Sequence, residues 1–243
     1  MKRLIALTLL VTLPAMAMAG FQRIWENPDY VEKAFAEIAF KHEYEAGLKR
    51  LSKWMQPIRY RIQYDGIKPL AVLSDDIHNH FRTLHRLTGI DIRPAQHSAN
   101  FTIILTRDRN YAARIAEVTG DSHQAVRLSQ ESNCITYLIT REPHNAIQRA
   151  WVIIPADHAF KKGLYHSCVV EELTQALGLP NDADWVSPSV ANDLDIQEEL
   201  SPLDRLMVRL LYRPELKSGM TLREAYPIIH RLVPEMIRQR LWQ

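Results

Sequence analysis

Cysteine and glycine are scarce in this chain of 243 residues, which holds two of the first and eight of the second. There is no Gly-x-Ser-x-Gly elbow, no P-loop and no Rossmann glycine fingerprint, which removes the familiar serine-hydrolase, nucleotide-triphosphate and dinucleotide sites. The two cysteines, Cys134 and Cys168, stand in no cysteine-protease signature, which argues against a thiol nucleophile. Apolar runs are short as well, and none approaches the ~20 residues that span a bilayer. Nor is there an excess of one charge: the 30 basic residues, less Lys2 and Arg3 of an N-terminal leader, equal the 28 acidic ones. Without a basic excess or stripe, the footprint of a nucleic-acid binder is missing. Internal repeats and low-complexity tracts are absent too.

What the chain does contain begins with that leader. Lys2 and Arg3, the apolar run 4–13, Pro14 and the small-residue pattern Ala17-Met18-Ala19 before Gly20 read as a secretory signal over residues 1–19, cut after Ala19. The alternative is an uncleaved anchor, for which the apolar run is short. No cysteine follows the cleavage pattern, so no lipid anchor is expected, and the mature chain is expected to be periplasmic or secreted. An oxidising compartment favours a Cys134–Cys168 disulfide over two buried thiols. Closing a loop of about 35 residues is worth ~3 to 4 kcal/mol in the chain-entropy picture.

Periodicity supplies the elements. Val31, Phe35, Ile38, Leu48, Leu51 and Met55 recur at helical spacing and predict an amphipathic segment over 28–55, within an N-terminal helical part spanning 20–56. Strict alternation over 58–64, closed by Asp65-Gly66, predicts a strand with one wet face. A stripe from Leu70 to Leu87, closed by Gly89, predicts a helix over 69–87. Further strands are expected over 100–106, 134–140 and 149–155, with a short helix over 110–118 and a polar loop over 120–132. A helix over 164–177, an irregular stretch over 180–200 and helices over 202–212 and 221–241 complete the chain. The sheet is expected to be mixed, and residues 57–243 are taken as one domain.

The helix over 164–177 carries the sharpest signal. Its Glu171-Glu172-x-x-Gln175-x-x-Gly178-Leu179-x-Asn181-Asp182 resembles the metzincin pattern His-Glu-x-x-His-x-x-Gly-x-x-His with the histidines replaced. Glu172 matches the general base, Gly178 the left-handed turn, and Glu171, Gln175 and Asn181 the three metal-ligand positions. Downstream, Ser189-Val190-Ala191-Asn192-Asp193 resembles the turn beneath the zinc, with Ala191 in place of its methionine. Residues 200–212, opening Leu200-Ser201-Pro202-Leu203-Asp204 and closing Leu211-Tyr212, are similar to the start of the C-terminal helix of matrix metallopeptidases; Ser201 can cap it, with Pro202 at its first position. Together these stretches are similar to the proteobacterial secreted domain-of-unknown-function family 2927 over about residues 50 to 215. The resemblance implies an α+β, zincin-like fold with a twisted mixed sheet, a motif helix and C-terminal helices. It implies export but no reaction.

The chemistry follows from the replaced ligands. A carboxylate at Glu172 needs a Lewis acid to activate water. Glu171 and Gln175 share a helical face, but an amide is a poor zinc ligand, and oxygen donors of this kind suit harder cations. A hydrogen-bonded cluster of Glu171, Gln175 and Asn181 in place of the metal is the plainer expectation, with Gly178, Asp182, Ser201 and Asp204 as supports. His166 and His158 are the nearest candidates for a displaced ligand, whereas His78, His80 and His85 are expected at the surface or boundary because 78 and 80 face apart. Adjacent Glu171 and Glu172 diverge by about 100° and do not suit glycoside hydrolysis. Trp151, Trp185, Trp242 and Tyr226 are read as core or rim residues. The leading expectation is a non-catalytic pseudopeptidase that binds a peptide, a protein or an envelope component, with no cofactor. The alternatives are a peptidase-like hydrolase, with Glu172 as base and zinc or another divalent ion held by Glu171, Gln175 and His166, and a structural subunit of an envelope assembly.

Overall fold

A computed structural model describes residues 23–42, 47 and 49–243 of the chain. The leader expected over 1–19 lies outside the described residues. Asn27 opens the first helix by accepting from the Asp29 amide at 3.1 Å, and Pro28 takes the first helical position, where no backbone donor is needed. This helix, α1 (Pro28–Phe40), buries Val31, Phe35 and Ile38. It ends well before the 55 expected from the apolar spacing. The Ile38 and Phe40 carbonyls accept from Asn181 and Lys49 of the later chain, so the ladder is not continued, and Lys53–Trp54 forms a short strand, β1. Two residues are too few to show the period of a strand.

The sheet is mixed, as expected. Strands β2 (Ile58–Tyr64), β3 (Ile92–Pro94), β4 (Phe101–Thr106) and β6 (Ala146–Pro155) run parallel in the order β6-β4-β2-β3. Strand β5 (Ile135–Arg141) is antiparallel to β6 and pairs along it from Ile153 to Ala146. A strand has two edges, so β1 and β4 share the other edge of β6, at residues 146–147 and 150–155. Among the described residues β5 pairs with β6 alone, and it forms one border of the sheet.

Alternation distributes the two faces. Phe101, Ile103 and Leu105 of β4 point into the main core with Val152 and Ile154 of β6. Ile104 and Ile153 point the other way, under α3 (Asp108–Thr119) and α4 (Ser122–Glu131). Helix α4 occupies the stretch expected to be a polar loop; the Asp121 carboxylate caps it, but only Ala125 and Leu128 are buried, too sparse a stripe to read. Against the main core lie α2 (Ala71–Thr88), α5 (Ala156–Lys162), α6 (Tyr165–Gln175), α7 (Pro202–Leu211) and α8 (Leu222–Arg238), the last packed on α1. The described residues thus form an α+β structure with a mostly parallel sheet and eight α-helices.

Helix α6 is the central element, with nine of its 11 residues buried. The carbonyls near and beyond its end have no intrahelical partner. They are met from outside: Trp54 Nε1 donates to Ala176 O at 2.8 Å and Tyr212 Oη to Leu177 O at 2.7 Å. The chain then turns at Gly178 with φ +115°, where a Cβ would stand 2.0 Å from the Ser52 carbonyl oxygen. Only glycine fits both the dihedral and the gap. Gly178→Ala is expected to cost at least about 3 kcal/mol in urea unfolding, because backbone rather than a movable side chain blocks the new methyl.

Candidate functional site

One side of α6 opens into a cavity of about 200 Å³, lined by Glu171, Glu172, Asp182 and Asp193. The Cys134–Cys168 disulfide is formed in its wall, tying the residue before β5 to α6. Thr136 Oγ1 makes a second tie, donating to the Glu172 carbonyl at 2.9 Å. Glu172 itself is only 3% exposed and borders the cavity.

Glu171 and Gln175 come together on the helical face that their spacing predicts. Gln175 Nε2 lies 3.5 Å from Glu171 Oε1 and donates to Asp182 Oδ1 at 2.7 Å. Asp182, expected only as a support, therefore stands in the cluster. Asn181 is buried but donates to the carbonyl of Asp182 at 2.9 Å. Asp193 completes the arrangement: one carboxylate oxygen from each of Glu171, Asp182 and Asp193 lies within 4.8 Å of the other two. Partial desolvation, and then the Asp184 carboxylate, raise the pKa of Asp193 from its ordinary value. Asp193 was within reach of sequence reasoning, since it closes the Ser189-Val190-Ala191-Asn192-Asp193 turn, but its side chain had not been tied to the cavity.

That turn is held from below by the capping box of α7. Asp204 accepts from Ser189 Oγ at 2.6 Å and from the backbone amides of Val190 at 3.2 Å and Ser201 at 2.8 Å, while Ser201 Oγ accepts from the Asp204 amide at 3.1 Å. Burial pushes the Asp204 pKa up to about 6 in spite of these donors. Asn192 stiffens the stretch further, donating to the carbonyls of Asp184 and Val186 and accepting from the Leu194 amide. The two motifs read separately in the sequence are thus one hydrogen-bonded unit.

The family model described as Protein of unknown function (DUF2927) matches residues 28–231. The chain belongs to this family. No curated protein matches it, and no solved structure does.

The histidines of this DUF2927 member lie away from the acidic cavity. His158, on α5, sits 3.7 Å from Asp108, and His166 pairs with Asp76 at 3.3 Å on the opposite side of α6. His78 contacts Tyr60 Oη at 2.6 Å, and His85 is exposed. His80 departs from the surface position expected for it: it is buried, with Nε2 2.9 Å from Thr174 Oγ1. Thr174 donates to the Val170 carbonyl, which leaves its oxygen to accept from His80 Nε2. The missed signal was its spacing, three residues after Ile77 and four before Leu84 on the apolar stripe. Of the large aromatics, Trp242 is buried and Trp185 and Tyr226 are exposed.

Burial, reinforced by the charge of His166, pushes the His80 pKa down from 6.5 to about 3. The unfolded chain therefore binds a proton in that interval that the folded one refuses, and the contribution of His80 is present above 6.5 and lost as pH falls toward 3. His80→Gln is expected to lower stability near neutrality by about 1 to 2 kcal/mol. Denaturant titrations over the same pH interval should show the difference from wild type shrinking as the solution is acidified.

Proposed function

We propose that the protein is an exported, zincin-like pseudopeptidase, a non-catalytic protein that receives an extended peptide along β5, above the altered metal site. The zincin reading is supported by the order of elements, by the mixed sheet with its antiparallel border strand, and by the motif helix lying against that strand. Export is supported by the leader pattern and by the formed disulfide. Among the described residues no helix is long and apolar enough to cross a membrane.

The observation that carries the binding reading is the border position of β5. A strand paired on one side presents unpaired backbone donors and acceptors on the other, and an extended chain can complete the ladder. The disulfide and the Thr136 bond fix β5 on α6, so the template is rigid before anything binds. The donor set does not fit zinc: where the pattern asks for three imidazoles the chain has a carboxylate and two amides, and His166 points elsewhere. No step through zinc is therefore assigned to Glu172.

A second reading, metal-dependent hydrolysis, is favoured by the convergence of Glu171, Asp182 and Asp193, whose oxygens suit a hard cation next to Glu172. The two readings separate cleanly. Under the binding reading, protein purified without chelator carries no stoichiometric metal by elemental analysis, and short β-branched peptides bind equally well, within about twofold, to wild type and Glu172→Gln, since Glu172 contributes no chemistry. Stoichiometric metal that is lost in Asp182→Asn/Asp193→Asn, with peptide cleavage lost in Glu172→Gln, overturns it in favour of the hydrolase.

A further inference from the structure

We infer that the peptide received along β5 carries a lysine or arginine whose head group enters the acidic cavity beside α6. The inference deepens the strand-addition reading and rests on it. Five acidic residues, Glu131, Glu171, Glu172, Asp182 and Asp193, line the cavity; Glu131 pairs with Arg127 at 3.8 Å and Lys162 donates to Asn133 of the wall at 3.0 Å, but no lysine, arginine or histidine is among the lining residues. Its volume of about 200 Å³ accommodates a basic head group, and it opens where the chain enters β5, since Glu131, Ser132, Asn133 and Cys134 form one wall. In the proposed docking, a side chain projecting from an added strand near that end of β5 is placed beside these carboxylates.

One exposed part of the lining is apolar. Ile196, 59% exposed, lines the cavity, and Leu194, 78% exposed, stands two residues before it in the loop that Asn192 holds in place. A basic side chain has an apolar stem below its charged head, and such a rim suits the stem as the carboxylates suit the head. A bare cation would use the carboxylates alone and would leave both the strand edge and the exposed leucine and isoleucine without a role. The combination of open edge, acidic pocket and apolar rim selects the peptide over the ion. Arginine and lysine are both admitted, because several carboxylate oxygens around one cavity can be met by a fork or by a point charge.

The test uses the full folded protein with its disulfide formed and fluorescent, short β-branched peptides that differ only in a central lysine, norleucine or glutamate. Anisotropy titrations are expected to show the lysine peptide binding at least about tenfold more tightly than the norleucine one and the glutamate peptide most weakly. Asp193→Asn, at an exposed position that leaves the fold intact, should narrow the ratio of lysine to norleucine, and so should added salt. N-methylation of alternate peptide amides should weaken all peptides, since it removes the ladder bonds. Equal binding of the lysine and norleucine peptides, still sensitive to N-methylation, overturns the inference and leaves strand addition standing. No binding of any peptide overturns both. Stoichiometric calcium binding that the lysine peptide does not displace overturns the inference in favour of an ion in the cavity.

Discussion

Everything that can act in this protein hangs from one buried helix, and its placement depends on the passage of the chain at Gly178 beside the Ser52 carbonyl. Because the backbone passes there, α6 ends against β1. Trp54 of that strand then satisfies the Ala176 carbonyl, and Tyr212, at the end of α7, reaches the Leu177 carbonyl while accepting from the Trp54 amide at 3.2 Å. A helix with nearly every side buried leaves its terminal carbonyls no water to bond, so these donors are a condition of burying it. Lys53 extends the arrangement, its buried ammonium donating to the carbonyls of Leu211, the last residue of α7, and of Arg213 and Leu216 beyond it. Burial lowers its pKa to about 8, with Glu215 opposing, so near neutrality the ammonium keeps the charge that makes it a strong donor to those carbonyls.

Around this helix the walls of the cavity are held by several separate interactions. Here Gln175 joins the helix to Asp182, the disulfide joins it to the root of β5, and Asp204 gathers the Ser189 turn and the start of α7. These ties are separate and local. Glu171 and Asp193 line the same cavity, Glu171 with Gln175 Nε2 3.5 Å from its Oε1. Structural duty and surface chemistry have been divided between different residues of the same short motif.

The long elements were legible because burial writes itself into spacing: α2, β4 and the C-terminal helices follow stripes or alternations of apolar residues. The short ones were not. Strands β1 and β3 have two and three residues, less than a readable period, and α4 buries too little to mark a face. The site was half legible. Spacing alone puts Glu171 and Gln175 on one face, since a helix imposes that geometry, but beyond Gly178 the chain is irregular and the choice between Asn181 and Asp182 is made by the turn. Asn181 is drawn inward, its amide donating to the Ile38 carbonyl of α1, a contact that no local pattern announces.

Rigidity at the root of β5 bears on how the edge can be used. An unpaired strand that must first be ordered loses part of each ladder bond to that ordering, and one that is already fixed does not. The residue before β5 is covalently fastened to α6, Thr136 is bonded to the same helix, and β6 holds the strand along its length. An arriving chain supplies its own ordering cost and meets a template that contributes none. The far end is looser: the register shifts between Ile139 and Thr140, and the last three residues are exposed. In the proposed strand addition, recognition is thereby concentrated near residues 134–138, the part of the edge that follows the cavity wall formed by residues 131–134. Under the proposed binding mode the border strand and the charged pocket act on the same few residues of the bound peptide, and the side chain entering the cavity is then the main determinant of selection.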